Sequence, residues 1–399
     1  MAATVLASLM VGVTSASAGA AQAAPGVDSL STGLDTALNE VVAAGVPGII
    51  VRVQDPHRAA RNYVAGVSDL ATGAKLRPAA QFRIGSITKT FVATVVLQLV
   101  GEERLRLDEP VARRLPGLLA NGEQITVRQL LNHTSGLPDY TGDPELFAGI
   151  KQNRVWEPRE LVAMAEKQPQ LFPPGSAWAY SNTDYIVAGL LVEAVTGRSL
   201  ARELDRRIFS PLHLEHTSFP TGTTSLTGYY THGYISTEVN PTPDGQPLDV
   251  TGYNPSHAWA AGAIVSNAAD LSSFYGALMS GRLLPPPMLR EMKKTVAEDP
   301  TDPNTTFRYG LGLERVNDPC GANWGHTGSI YGYRDLAYWN ERTGRTVVIA
   351  STMFPAPTAA EAPLATATDL ALCPNTITSS SAPQRQSPRN PKTGPAPLL

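Results

Sequence analysis

The stretch Phe82-Arg83-Ile84-Gly85-Ser86-Ile87-Thr88-Lys89-Thr90 constrains the fold more than any other part of the chain. It reads as the end of a strand, a tight glycine turn and the first turn of a helix. Phe91, Val92, Val95, Val96 and Leu99 continue at helical spacing, which buries that helix in a core. Lys89 follows Ser86 by three residues, so the two share one helix face. A helix N-terminus turns free N–H groups toward Ser86 and favours negative charge there. A desolvated lysine one turn away can lose its proton near neutral pH and accept one from the hydroxyl. The pair alone fits equally well an N-cap serine beside a solvated lysine.

The chain has 399 residues, enough for a large core and two lobes without demanding two independent domains. A net charge of −3 and no basic stretch argue against a nucleic-acid binder. Residues 1–24 read as a signal peptide. Val5 to Val13 is apolar but too short for a bilayer, and Ala21-Gln22-Ala23 offers a cleavage site, although the basic n-region is missing. A plain Ala-rich leader is the competing reading. No other stretch is apolar enough for a membrane span, so a secreted location, extracellular or periplasmic, is expected. The only cysteines, Cys320 and Cys373, are in an exported chain most simply one disulfide. No metal is expected. His213-Leu-Glu-His216 lies in a Pro-flanked loop and reads as surface histidines.

Val27 to Ala44 reads as an amphipathic helix, and Gly48 to Gln54 and Asn62 to Val67 as strands. Helical stretches and Pro/Gly loops then alternate. Val127 to Asn132 is capped by Thr126, Arg159 to Lys167 follows, and Asp184 to Thr196 is apolar on nearly all sides and ends at Gly197. Thr221 to Pro255 suggests irregular strands or a lid over a cleft. Asn267 to Met279 is helical. Tyr309 to Leu313, Asn323 to Gly325, Tyr333 to Trp339 and Thr346 to Ser351 read as an antiparallel meander. Ala359 to Leu372 is a closing helix, and residues 374–399 a disordered tail.

Three polar triplets lie far apart, each at the mouth of an apolar element: Ser86-x-x-Lys89, Tyr180-Ser-Asn182 and His326-Thr-Gly328. With the His133-Thr-Ser-Gly-Leu137 turn, Tyr309-Gly-Leu-Gly-Leu313 and both cysteines, they make the chain resemble the penicillin-recognising serine hydrolases of the β-lactamase fold. Within these it resembles the branch of class C β-lactamases and soluble exported D-alanyl-D-alanine carboxypeptidases. The resemblance runs from about Leu30 to Cys373. The absence of G-x-S-x-G counts against an α/β-hydrolase.

The resemblance implies an α/β (α+β) fold in which an antiparallel sheet flanked by helices faces an α-helical lobe, roughly residues 105–265, across a cleft. One hydrolase domain would fill 25–373. Ser86 is implied as the nucleophile, Lys89 as its activator and Tyr180 as a proton relay. Asn182 would hold the substrate amide. His326, with Thr327, would supply hydrogen bonding or positive charge near the substrate carboxylate. The N–H groups of Ser86 and Ser329 would form an oxyanion hole. Tyr180, Asn182 and His326 also admit readings as a buried aromatic, a helix cap and a core histidine. Trp259 and Phe147 would line the cleft or serve as plain core.

One position departs from the resemblance. Where the carboxypeptidases place an Arg that grips the substrate's terminal carboxylate, this chain has Glu314, with Arg315 next. A one-residue shift along a strand changes the face. The expected activity is D-alanyl-D-alanine carboxypeptidase on cell-wall peptides with acylation by β-lactams, in a monomer without cofactor. The alternatives are an esterase or β-lactamase on the same fold, and a non-catalytic penicillin-binding module.

Overall fold

The structure, a computed structural model, describes residues 27–298 and 306–374. The signal peptide read over 1–24 and the tail read beyond Pro374 lie outside the described residues. Among the described residues nine strands form one antiparallel sheet. They are β1 (Gly48–Gln54), β2 (Arg61–Asp69), β3 (Ala74–Lys75), β4 (Val296–Ala297), β5 (Phe307–Tyr309), β6 (Glu314–Asp318), β7 (Gly321–Ile330), β8 (Tyr333–Asn340) and β9 (Thr346–Ser351). Their spatial order is β3-β2-β1-β9-β8-β7-β6-β5-β4. The N-terminal strand β1 is thus interior, third from one edge, with Val51 opposite both Tyr63 of β2 and Ile349 of β9.

Five longer helices pack around this sheet: α1 (Val27–Ala43), α2 (Thr88–Gly101), α3 (Asn182–Thr196), α4 (Ala268–Met279) and α5 (Glu361–Leu372). Side chains alternate across a strand, which divides the core in two. Ile49, Val51, Val53, Val347 and Ile349 pack with Leu34, Leu38 and Val41 of α1 and Leu364 and Leu370 of α5. Ile50, Ala337, Val348 and Ala350 join a second core with α2, α3 and α4. Helix α2 is surrounded on all sides, with Phe91, Val92, Val95, Val96 and Leu99 fully buried. Phe91 stacks on Phe274 of α4 with ring centroids 3.6 Å apart. Burying each such side chain stabilises the fold by about 1.5–3 kcal/mol. The Gly85–Ile87 turn is therefore anchored by a helix held firmly in the core.

The connections follow local chemistry. Thr126 and Gln129 form a reciprocal capping box at the start of Val127–Leu131. Gly197, at φ +69°, ends α3 in the left-handed region. Cys320 and Cys373 are bonded, joining the start of β7 to the end of α5. His213 and His216 are exposed. Thr221 to Pro255 holds one two-stranded pair, Tyr234–Ile235 with Leu248–Asp249, in an otherwise irregular path.

Two elements differ from the sequence reading. Tyr309 to Leu313 is not a strand: β5 stops at Tyr309 and Gly310–Leu313 is a turn closed by Gly310 N–H to Leu313 O at 2.7 Å. Gly312 sits at φ +70°, where a Cβ would come within 2.4 Å of Ala93 Cβ and 2.7 Å of the Tyr185 hydroxyl. The alternation of leucines suggests a strand, but Gly312 marks a close approach to α2 and Gly310 one to the Met292 carbonyl. Asn323 to Gly325 instead belongs to a strand of ten residues that carries the His326 triplet.

Candidate active site

Residues Phe82–Arg83 pair with Val265–Ser266, and the chain then turns through Gly85–Ile87 into α2. Gly85 has φ +49°, and a Cβ there would stand 2.7 Å from Ser329 N. A Cβ on Gly328 would stand 2.2 Å from Ile84 O. Two glycines thus let the backbone of β7 lie directly against the turn that carries Ser86. Thr327 N–H donates to Glu314 Oε2 at 3.0 Å, on the edge of β7 that β8 does not occupy. N–H direction alternates along a strand, so Ser329 N–H faces the same edge, beside Gly85. Ser86, partly exposed, and Ser329, exposed, meet at this point.

Lys89 is fully buried. Its Nζ lies 3.0 Å from Ser86 Oγ, 2.8 Å from Asn182 Oδ1 and 2.8 Å from Ala261 O. Burial pushes the ammonium down to about 7, against the opposing pull of Asp139, Glu314 and Asp184. In its neutral form the amine has two N–H groups and one lone pair. Asn182 Oδ1 and Ala261 O accept the two protons, so the lone pair is left for the Ser86 hydroxyl. This geometry can take the proton of an attacking serine.

Tyr180 lies on the other side. Lys89 Nζ is 4.9 Å from its ring centroid. Burial pushes its hydroxyl well above 10, with a hydrogen bond to Ser86 pulling the other way, so the resting group is a phenol. Asn182 opens α3 and is fixed at both ends of its amide. Its Oδ1 takes Lys89, and its Nδ2 donates to Asp139 Oδ2 at 2.9 Å. Behind Tyr180 lies the buried ring of His133, 4.3 Å between centroids. His133 Nδ1 faces Asp184 Oδ2 at 2.9 Å and Ser181 N–H at 3.3 Å. Burial raises the carboxyl of Asp184 and lowers His133.

The third triplet is bound from below. His326 is fully buried and its Nε2 accepts from the Tyr309 hydroxyl at 2.8 Å, while Nδ1–H donates to Thr327 O. Burial holds it below the usual histidine range. Glu314, itself buried, accepts from Thr327 N–H, from Thr327 Oγ1–H at 2.8 Å and from the Tyr338 hydroxyl. Glu314 and Tyr338 lie in register on either side of Gly325, whose missing side chain lets them meet.

The model of the Beta-lactamase family matches residues 34–370. The chain belongs to this family. Among solved structures of this fold it is similar to a D-stereospecific amidohydrolase from a Streptomyces species. That match has 36% identity and a TM-score of 0.77, and covers 88% of this chain and 99% of that one. It is also similar to the D-amino acid amidase of Ochrobactrum anthropi, with 29% identity, a TM-score of 0.76 and coverage of 86% and 98%. Penicillin-binding protein 4* of Bacillus subtilis is 29% identical over 68% of this chain and 60% of its own. Protein flp of Staphylococcus aureus is 30% identical, over 47% of this chain, which spans 38% of flp's length. The protein is an enzyme of the serine hydrolase superfamily that holds the β-lactamases and penicillin-binding proteins.

Within this Beta-lactamase-family fold, Ser86, Lys89, Tyr180 and Asn182 come together as the sequence suggests. Asn182 is no side-chain cap: it is the first residue of α3, and no side chain caps that end. Phe147 is partly buried at the rim, its ring 6.3 Å from that of Tyr331, two residues beyond Ser329. Trp259 is turned into the core, 6% exposed, because Gly189 of α3 leaves a groove for its ring. Arg315 is not restored to the cleft by any bulge. It pairs with Trp324 and lies 5.6 Å from that ring. Sequence reading missed Asp139, Tyr309, Tyr338 and the His133–Asp184 pair. Asp139 adjoins a motif already singled out and Tyr309 opens another, though neither was given a part in the site, whereas Tyr338 carried no signal.

Proposed function

We propose that this chain hydrolyses amides, esters or short peptides on the carbonyl side of a D-amino-acid residue, through an acyl-enzyme on Ser86. Neutral Lys89 takes the Ser86 proton during attack. Tyr180 passes a proton to the leaving group, and the N–H groups of Ser86 and Ser329 hold the oxyanion. The D-configuration rests on similarity to the amidohydrolase and amidase. Export is part of the reading and is supported by the Cys320–Cys373 bond.

The observation that carries the choice of leaving group is the engagement of Thr327 by Glu314. A carboxypeptidase must hold the free carboxylate of its substrate. Here the arginine position is a carboxylate, His326 is neutral with both nitrogens bonded, and both donors of Thr327 are directed to Glu314. A neutral leaving group, such as ammonia from an amide or an alcohol from an ester, meets no such conflict. D-alanyl-D-alanine carboxypeptidase activity with acylation by penicillin is the second reading, supported by the similarity to penicillin-binding protein 4*.

The test compares D-phenylalanine amide, its L-enantiomer and a D-Ala-D-Ala-terminated peptide, alongside intact mass after incubation with a fluorescent penicillin. The proposal expects the D-amide to exceed the peptide in kcat/KM, and Ser86→Ala to lose turnover of all substrates. Preferred release of D-Ala from the peptide would replace it with the second reading. Hydrolysis retained by Ser86→Ala would refute both.

A further inference from the structure

Arg83, three residues before Ser86, is 3% exposed. Its Nη2 donates to the carbonyls of Thr251 and Tyr253, each at 3.1 Å, and of Thr224 at 3.4 Å. All three belong to the irregular segment from Thr221 to Pro255, so this guanidinium fastens that segment to the strand before the nucleophile. Its Nε and Nη1 are buried and meet no acceptor. No carboxylate among the described residues pairs with it, and burial pushes its pKa down. An unpaired buried charge carries an effective penalty of several kcal/mol, which carbonyl dipoles on one nitrogen only partly offset.

A cavity of about 10 Å³ opens beside Arg83, between His257, Tyr253, Ile330 and Tyr331. This is room for one water-sized guest. His257 is neutral, pushed down to about 4 by its burial and by the neighbouring guanidinium. The space therefore combines a net positive surround, a guanidinium with free N–H groups and a volume too small for an organic acid. We propose that Arg83 and this cavity form an internal site for a small monovalent anion of halide size. The anion takes one of the free N–H groups, since Nε–H and Nη1–H lie on different edges of the guanidinium plane and do not chelate it together. It neutralises the charge that holds the Thr221–Pro255 segment in place. This site is independent of the substrate reading given above.

Crystals grown in sodium bromide test the proposal directly. The expected result is an anomalous bromide peak in the cavity, in contact with Arg83 Nε or Nη1. No peak there, or only a water, overturns it. In solution, the unfolding temperature is expected to rise with the logarithm of chloride or bromide concentration, measured against sodium gluconate at matched ionic strength. That dependence is expected to vanish in Arg83→Gln. Equal unfolding temperatures of the wild type in chloride and gluconate overturn the proposal. Because the bromide map and the wild-type comparison need no variant, a misfolded Arg83→Gln leaves the test intact.

Discussion

Glu314 accepts hydrogen bonds from both the backbone N–H (3.0 Å) and the hydroxyl (2.8 Å) of Thr327. A single carboxylate thus fixes the triplet that flanks Ser86. It also stands among the charges that hold Lys89 up. Replacing it with Gln removes that charge and turns an amide N–H toward one of the Thr327 donors. Unfolding free energy should drop by about 1–3 kcal/mol, the cost of an unmatched buried polar group. Losing a negative neighbour also lowers the Lys89 pKa, so the acid limb of kcat/KM should move to lower pH. Urea titration and a pH–rate profile of Glu314→Gln check both.

Lys89 itself gives a pH signature. With the amine near 7, kcat/KM should rise about tenfold per pH unit below 7 and level off above it. The stability effect has a definite sign. The unfolded lysine keeps its proton up to about 10.5, while the folded one loses it near 7. The unfolded state therefore binds more protons between those values, and stability rises with pH across that window. The advantage in unfolding free energy of Lys89→Met over the wild type should be largest at pH 7 and below, and shrink as pH approaches 10.

Gly85→Ala should damage catalysis more than binding. Position 85 is left-handed, and the new Cβ would force Ser329 N–H away from the oxyanion. Loss of one such donor costs roughly 10²–10³ in kcat. Gly73→Ala is the matched control, since Gly73 has φ +65° but no atom within 4 Å of the place its methyl would take. Its kcat should stay within about a factor of two, while its stability falls by the strain cost of roughly 1–2 kcal/mol. Steady-state kinetics of the two variants separate the close approach from the backbone strain.

Reduction of Cys320–Cys373, or the double serine variant, should lower stability by up to about 4 kcal/mol on the chain-entropy account of a loop with separation 53. The site residues lie away from this bond, so kcat at low temperature should be unchanged. Thermal unfolding with and without reductant measures the first, and kinetics at 15–20 °C (about 290 K, well below a typical mesophilic midpoint) the second.

What could be read from the sequence follows from range. Ser86 and Lys89 are one helical turn apart, so their alliance is written in local spacing. The period-two alternation of Ile49, Val51 and Val53 likewise announces a strand. Glu314 is the opposite case. Its meaning depends on Tyr338 two strands away and on the bare backbone of Gly325 between them, which no window along the chain contains. Trp259 follows the same logic. An aromatic near polar motifs looks like a cleft wall until Gly189, on another helix, turns out to leave a slot for it. Gly310 and Gly312 mislead because the leucines beside them alternate as a strand does, while the contacts that demand glycine come from the Met292 carbonyl and from α2, respectively.

The place of β1 has a consequence for how this protein is made. Its partner β9 is among the last strands in the chain, as the pairing of Val51 with Ile349 shows. Until β9 arrives, one edge of β1 has no neighbour, and the apolar residues meant for both layers stay open to other chains. Contacts between such distant segments are slow to form because the loop must close first. Synthesis therefore outruns assembly: helix α2 leaves the ribosome long before the sheet that will hold it exists. Yield in a heterologous host should depend on what shields β1 during that interval.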